Sequence, residues 1–312
     1  MKKHLILFTL LLVAIISSAC NSEASKPIDS DEANEQTETT HDDTITYESE
    51  NGPIEVPANP ERVVVLASFN VGSVMALDVN LVGVDTWAMN NPRYAPYLEG
   101  VEEVTDESIE KILELEPDLI IADPTNNNLD RLEGIAPTVT YTYGQVDYLT
   151  QHLEIGKLLN KEAEAQAWID DFKQRAEAAG EEVKDVHGKD VTVSVIESFD
   201  KQLYVFGDNF GRGTEILYQE MNLDMPEAVS EVALNDGFYA LSPEVLPEYA
   251  GDFIILSNDG EDSSFQETET YQTIPAVQND RVFEANAAEF YFNDPITLEF
   301  QLDFFIESFL DQ

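Results

Sequence analysis

Basic residues, histidine and cysteine are all scarce in this sequence of 312 residues. Only 16 Lys plus Arg stand against 62 Asp plus Glu, a formal charge of -46. Nucleic-acid binding relies on clustered Lys and Arg to neutralise phosphates, so no nucleic-acid partner is expected. The acid excess has two readings that composition leaves open: an exterior suited to saline or alkaline surroundings, or a field that repels anionic ligands and favours neutral or cationic ones. The one cysteine, Cys20, excludes an intrachain disulfide and a thiolate metal cluster. Histidine occurs only at 4, 41, 152 and 187, too sparsely for a transition-metal site built by protein. Any metal involved would have to arrive inside a small molecule. No GxSxG elbow, HExxH, P-loop or GxGxxG is present, and neither His152 nor His187 has an evident nucleophile beside it. No catalytic activity is expected.

What is present begins with a leader. Residues 1–20 combine Lys2 and Lys3, an apolar run over 5–16 too short to span a membrane comfortably, and Ser17-Ser18-Ala19-Cys20. The small residues ending on cysteine resemble a bacterial lipobox, departing from it at Ser17, where an aliphatic residue is usual. The other reading is an ordinary secretory cleavage site that leaves a free thiol. Because Cys20 is the sole cysteine and stands at the expected point, lipidation there is the preferred reading. The chain would then sit on the outer face of the cell membrane. Residues 21–43, rich in Ser, Thr, Asp and Glu and without periodicity, read as a disordered acidic tether.

From residue 44 the pattern is α/β. The stretch 161–185 is rich in Ala, Glu, Lys and Gln and contains no proline. It places Ala165, Trp168, Ile169, Phe172 and Ala176 on one helical face, the composition of one long amphipathic helix. The two flanks share a unit. Ser108-Ile109-Glu110 precedes Pro117-Asp118 and the apolar run Leu119-Ile120-Ile121; Ser242-Pro243-Glu244 precedes Gly251-Asp252 and Phe253-Ile254-Ile255, with the same interval from Glu to Asp. A capped helix, a turn and a buried strand are thus expected twice. The expected fold is two Rossmann-like α/β lobes, residues 44–160 and 186–312, joined by the helix 161–185, with a cleft where strand ends from both lobes meet. Strands are expected near 62–67, 81–85, 119–122 and 137–141 in the first lobe and near 191–196, 203–206, 253–256 and 282–284 in the second. Helices are expected over 148–159, 213–221, 243–249 and 295–310, and a hairpin around Asn51-Gly52.

The loop 204–213, YVFGDNFGRG, follows a strand and precedes a helix, and carries Arg212, one of six arginines, among aromatics. A guanidinium is a strong donor fork for partly charged ligand oxygens; equally, in so acidic a chain any arginine finds a carboxylate. A second aromatic cluster, Phe290-Tyr291-Phe292, precedes the last helix and serves either as pocket lining or as that helix's staple.

Three stretches, YVFGDNFGRGTEILY (204–218), LSPEVLPEYAGDFII (241–255) and FYFNDPITLEF (290–300), resemble the iron-siderophore substrate-binding lipoproteins of bacterial ABC importers, in their Gram-positive ferric-hydroxamate branch. The resemblance runs from about residue 44 to the end. It implies the class III periplasmic-binding-protein architecture and limited hinge motion. It also implies a shallow aromatic cleft for an Fe(III)-siderophore that carries its own metal, so that no cofactor is needed. Tyr204, Phe210, Arg212 and Tyr291 match ligand-contacting positions, and Tyr148, Phe69 and Trp87 are further candidates, with Asn126 and Tyr143 behind them. The family often has Trp where Phe210 and Tyr291 stand. Glu110 and Glu244 match the acids that engage permease arginines, implying a permease and its ATPase as partners of a monomeric, lipid-anchored receptor. Within the same fold the alternatives are a catecholate siderophore, haem or a cobalamin. A secreted hydrolase or an adhesion protein would belong to other classes.

Overall fold

The computed structural model describes residues 43–258, 260 and 263–310. The expected leader, the lipidation site Cys20 and the acidic tract to residue 42 lie outside the described residues. The expected hairpin is present: β1 (Thr44–Ser49) pairs antiparallel with β2 (Gly52–Pro57), and Gly52 takes φ 102° at the turn, a conformation open chiefly to glycine.

The first lobe is built on β3 (Val63–Val65), β4 (Leu81–Val84), β5 (Glu102–Glu103), β6 (Leu119–Ala122) and β7 (Thr138–Thr140), in the order β5-β4-β3-β6-β7 with every pairing parallel. β3 is three buried valines and β6 four buried residues without polar alternation, as a strand covered on both faces requires. Val63, Val65, Leu119 and Ile121 enter one core; Val64, Ile120 and Ala122 enter the core on the opposite face.

The second lobe contains β8 (Val193–Phe199), β9 (Gln202–Phe206), β10 (Phe238–Leu241), β11 (Phe253–Asn258) and β12 (Val282–Asn286), in the order β10-β9-β8-β11-β12. β8, β11 and β12 run parallel, while β8, β9 and β10 run antiparallel. Only Asp200 and Lys201 separate β8 from β9, both at positive φ (47° and 64°). Two residues make a hairpin turn and are far too few for a crossover. β10 carries no apolar run that would mark it in the sequence, because Phe238, Tyr239 and Ala240 are exposed on the sheet edge.

The repeated unit recurs in three dimensions. Asp118 accepts from the backbone N–H of Arg62 at 3.0 Å and Asp252 from that of Thr192 at 2.9 Å, so each pins the chain just before the central strand of its lobe. Glu110 sits in the first turn of the helix Ile109–Glu114. Glu244 does not have the expected equivalent place. Residues 242–245 form a turn closed by the Val245 N–H to the Ser242 carbonyl, and the helix begins only at Leu246, with proline in its first turn. The segment 213–221 also departs from expectation: Glu215–Glu220 winds as a π-helix, with the Met221 N–H reaching the Ile216 carbonyl.

The interlobe helix runs Glu162–His187, 26 residues and about 39 Å. It buries Ala165, Ile169, Phe172, Ala176, Ala179, Gly180 and Val183. At Gly180 an added Cβ would lie 2.0 Å from the Met221 carbonyl oxygen, so glycine is what lets the π-helix end pack so close. A second tie between the lobes comes from the chain just before the C-terminal helix Pro295–Leu310. Phe292 is fully buried in the first lobe's core and stacks on Tyr94 at 5.7 Å, and the Tyr94 hydroxyl donates to Asp294.

Candidate functional site

The segments that leave β3, β4 and β7 at their carboxyl ends, two of them the first turns of the helices Ser68–Ala76 and Thr86–Met89, carry Phe69, Trp87 and Tyr143 to one place. The ring centroids of Phe69 lie 5.3 Å from Trp87 and 4.5 Å from Tyr143. Facing them is a cavity of about 580 Å³. Its first-lobe walls include these three rings, Asp123, Tyr148 and Gln151; its second-lobe walls include Asn209, Glu215, Gln219 and Asn293. Trp87 and Tyr143 remain 46% and 49% exposed, unusual for large rings in a protein interior and suited to covering a ligand.

The aromatic surface continues beyond the cavity. Trp87 lies 5.7 Å from Tyr291, and the Arg212 guanidinium stands 4.9 Å over the Tyr291 ring, 4.7 Å over Phe206 and 5.7 Å over Phe210. Phe210 meets Phe238 at 5.1 Å, and Phe238 meets Tyr204 at 5.9 Å. The seven candidate ligand residues therefore fall in two groups. Phe69, Trp87 and Tyr148 line the cavity, whereas Tyr204, Phe210, Arg212 and Tyr291 form the adjoining rim. Tyr143 is a wall and Asn126 is not.

The rim is a built structure. Gly211, Arg212 and Gly213 are successive left-handed residues, with φ of 68°, 58° and 79°. Two glycines accept that backbone freely; an arginine there is costly and marks a position held by its surroundings. The holding groups are the Arg212 N–H to the Phe290 carbonyl at 2.7 Å and an ion pair with Glu197: Nε donates to Oε2 at 3.1 Å and Nη2 to Oε1 at 2.9 Å. Arg212 has thus found a carboxylate, as the second of its two sequence readings expected. Glu197 and Phe238 were not among the expected site residues. An acid inside the apolar run Val193–Phe199 could have flagged Glu197, because a buried carboxylate needs a cation or several donors. Phe238 left no such mark.

The other polar walls are satisfied from within. Glu215 accepts from the Gly211 N–H, the Asn293 amide and the Thr214 hydroxyl, while burial raises its carboxyl above the ordinary range. Burial also raises Asp147, but the Thr150 hydroxyl and the amides of Thr150 and Leu149 outweigh it and hold this helix cap below its usual value. Tyr148 donates to Glu220 at 2.8 Å, so its ring, rather than its hydroxyl, is left for the cavity. Burial and the nearby Glu215 push the Tyr143 hydroxyl up to about 12, with Arg212 opposing them. Rings, neutral amides and acids make the site; among its described walls there is no Lys or Arg.

Residues 63–288 match the family model described as periplasmic binding protein. The chain is 36% identical over 308 residues to the iron(3+)-hydroxamate-binding protein FhuD of Bacillus subtilis, covering 96% of this chain and 95% of that protein. It is also similar to a solved FhuD-fold periplasmic binding protein component of a ferrichrome ABC transporter from the same species, with TM-score 0.79 and 36% identity, covering 85% and 100% of the two chains. Staphylococcus aureus FhuD2 with bound ferrioxamine B is similar at TM-score 0.76 and 31% identity, covering 81% of this chain and 99% of that one.

Proposed function

Because the chain belongs to the periplasmic binding protein family, a family of solute receptors, we propose that it captures a ferric hydroxamate siderophore outside the cell and delivers it to an ABC importer. The observation that carries this reading is the cavity of about 580 Å³ walled by exposed rings of one lobe and amides of the other. A hydroxamate siderophore surrounds Fe(III) with its own oxygens, so its receptor supplies flat apolar area and a few donors. Rings with a half-exposed indole and a pinned guanidinium meet that need. A tris-catecholate complex carries several negative charges and calls for several cations, whereas Asp123, Asp147 and Glu215 stand in the walls. The names of the similar Bacillus and Staphylococcus proteins support the same ligand class. The remaining parts of the reading are anchorage through Cys20, a permease and ATPase as partners, a monomeric state, and binding without turnover.

The test is a fluorescence titration with ferrioxamine B, ferrichrome and a ferric tris-catecholate, each beside its iron-free form. Trp87 lies in the cavity wall while Trp168 donates to Glu299 elsewhere, so quenching by an iron-loaded hydroxamate should vanish in Trp87→Phe. Preference for the catecholate would refute the ligand class. Turnover of an ester or peptide substrate would refute the receptor.

Glu110 and Glu244 are proposed to dock the permease. Both are exposed, and Glu110 pairs with the exposed Arg131 at 3.5 Å. Charge reversal at either should leave siderophore affinity within about twofold and depress uptake by cells. Lost binding with normal uptake would end the assignment.

A further inference from the structure

Glu197 has no counterpart among the expected site residues, yet it holds the one guanidinium of the rim. It lies on β8 and is 2% exposed. Its Oε1 accepts from Arg212 Nη2 at 2.9 Å, and its Oε2 accepts from Arg212 Nε at 3.1 Å and from the Ser257 hydroxyl at 2.7 Å. Both oxygens act only as acceptors toward donors, which is the hydrogen-bonding pattern of an ionised carboxylate. Arg212 gives one further N–H to the Phe210 carbonyl at 3.1 Å. Three of the guanidinium's five donors are thereby committed to protein acceptors among the described residues, one N–H on each of Nη1 and Nη2 being outside these bonds.

We propose that Glu197 is a specificity-determining residue: it cancels the charge of Arg212 while leaving those two donors in place, so that the cleft accepts neutral or cationic ferric complexes and disfavours anionic ones. The inference rests on the ferric-hydroxamate reading above and names the charge class within it. Close pairing reduces the field of Arg212 at the ligand from that of a full charge to that of a dipole. The walls add no compensating cation, and Asp123, Asp147 and Glu215 contribute the opposite sign. The three left-handed residues from Gly211 to Gly213, and the Phe206 and Tyr291 rings within 5 Å of the guanidinium, hold Arg212 against the carboxylate.

One siderophore core supplies the probe at two charges: ferrioxamine B, cationic through its free amine, and the same complex with that amine succinylated, which is anionic. Affinities for both are measured on the full chain in detergent. Wild type should favour the cationic complex. Glu197→Gln keeps the shape but unmasks the guanidinium, and should shift the anionic-to-cationic affinity ratio about tenfold toward the anion, the scale of one unit charge several ångströms away in a partly solvated cleft. Glu197→Asp keeps the charge and should weaken both complexes with the ratio unmoved. A folded Glu197→Gln with the wild-type ratio would overturn the inference, as would an equal shift in Glu197→Asp. Should circular dichroism show Glu197→Gln unfolded, the pair Arg212→Gln with Glu197→Gln decides the matter. Removing a silent pair should weaken both complexes and leave the ratio within about twofold, whereas a ratio that moves shows that Arg212 was never silenced. Wild type binding neither complex would sink the hydroxamate reading and this inference with it; wild type binding with an unmoved ratio in Glu197→Gln sinks this inference alone.

Discussion

The two lobes share a building unit and put it to different uses. Asp118 and Asp252 pin the central strands through equivalent backbone bonds, and in both lobes parallel strands direct their carboxyl-end loops to the cleft, where ligands of open α/β sheets bind. The first lobe is wholly parallel and offers rings, Phe69, Trp87 and Tyr143, each from the segment that follows one of its strands. The second lobe replaces part of that pattern with the β8–β9–β10 meander, and its loop after β9 offers an arginine locked to a buried acid. Repetition of architecture therefore sets where contacts arise without setting their chemistry. On the reading proposed above, one lobe grips by apolar area and the other by directed donors.

The largest way to break this division is at the tie between the lobes. Phe292 belongs to the second lobe by chain position but is fully buried in the first lobe's core, in contact with Phe69 and Trp87 at 5.2 and 5.1 Å. Phe292→Ala should cost about 4 kcal/mol of stability through the cavity it leaves and also weaken the siderophore, since two wall rings lose their support. Phe172→Ala, equally buried on the interlobe helix, should cost a similar amount in thermal or urea unfolding while the surviving folded protein binds normally. Matching affinity losses in the two variants would mean that Phe292 has no special link to the wall.

A smaller effect separates the two grips directly. Arg212→Ala should lower siderophore affinity about 30-fold, roughly 2 kcal/mol, and lower stability as well, because Glu197 is then buried without its cation. Trp87→Ala, at a half-exposed position, should lower affinity about fivefold with stability unchanged within about 0.5 kcal/mol. Calorimetric titration beside urea unfolding reads both quantities. An Arg212→Ala variant of full affinity would leave the second lobe without its directed contact.

What the sequence disclosed follows the strength of its local patterns. The long helix was visible from its composition and spacing, and it runs Glu162–His187 against the expected 161–185. β6 and the C-terminal helix coincide with their expected bounds, because each is an apolar run flanked in the sequence by Asp or Pro. The antiparallel meander was obscured because β10 is an exposed edge strand with one buried residue. Glu244 was placed on a helix because Ser-Pro-Glu reads like a helix start, whereas Pro247 moved the start downstream. At the site, residue types were legible and pairings were not. Arg212 and the rings stood out, but that its partner is Glu197 depends on β8 and β9 being neighbours, which no spacing within 15 residues reveals.

The smallest expected effect concerns the junction between the first lobe and the interlobe helix. His152, on the helix Tyr148–Leu158, is 2% exposed and packs edge-on against Trp168 of the interlobe helix at 5.1 Å. Neither ring nitrogen has a hydrogen-bond partner among the described residues, and burial lowers its pKa from 6.5 to about 4. The sign follows from which state takes the proton. Below pH 6.5 the unfolded chain protonates this histidine while the folded chain resists, so stability is intact at neutral pH and falls as pH drops from 6.5 toward 4. The slope is at most about 1.4 kcal/mol per pH unit. His152→Leu should flatten that limb of a urea-unfolding series and leave neutral-pH stability equal or slightly higher, because two buried, unpartnered nitrogens are removed. His187, at the other end of the interlobe helix, bonds the Phe309 carbonyl at 2.7 Å, and His187→Leu is the second-lobe control. Equal flattening in both variants would make the acid slope a property of the whole charge distribution rather than of the junction between the first lobe and the helix that joins it to the second.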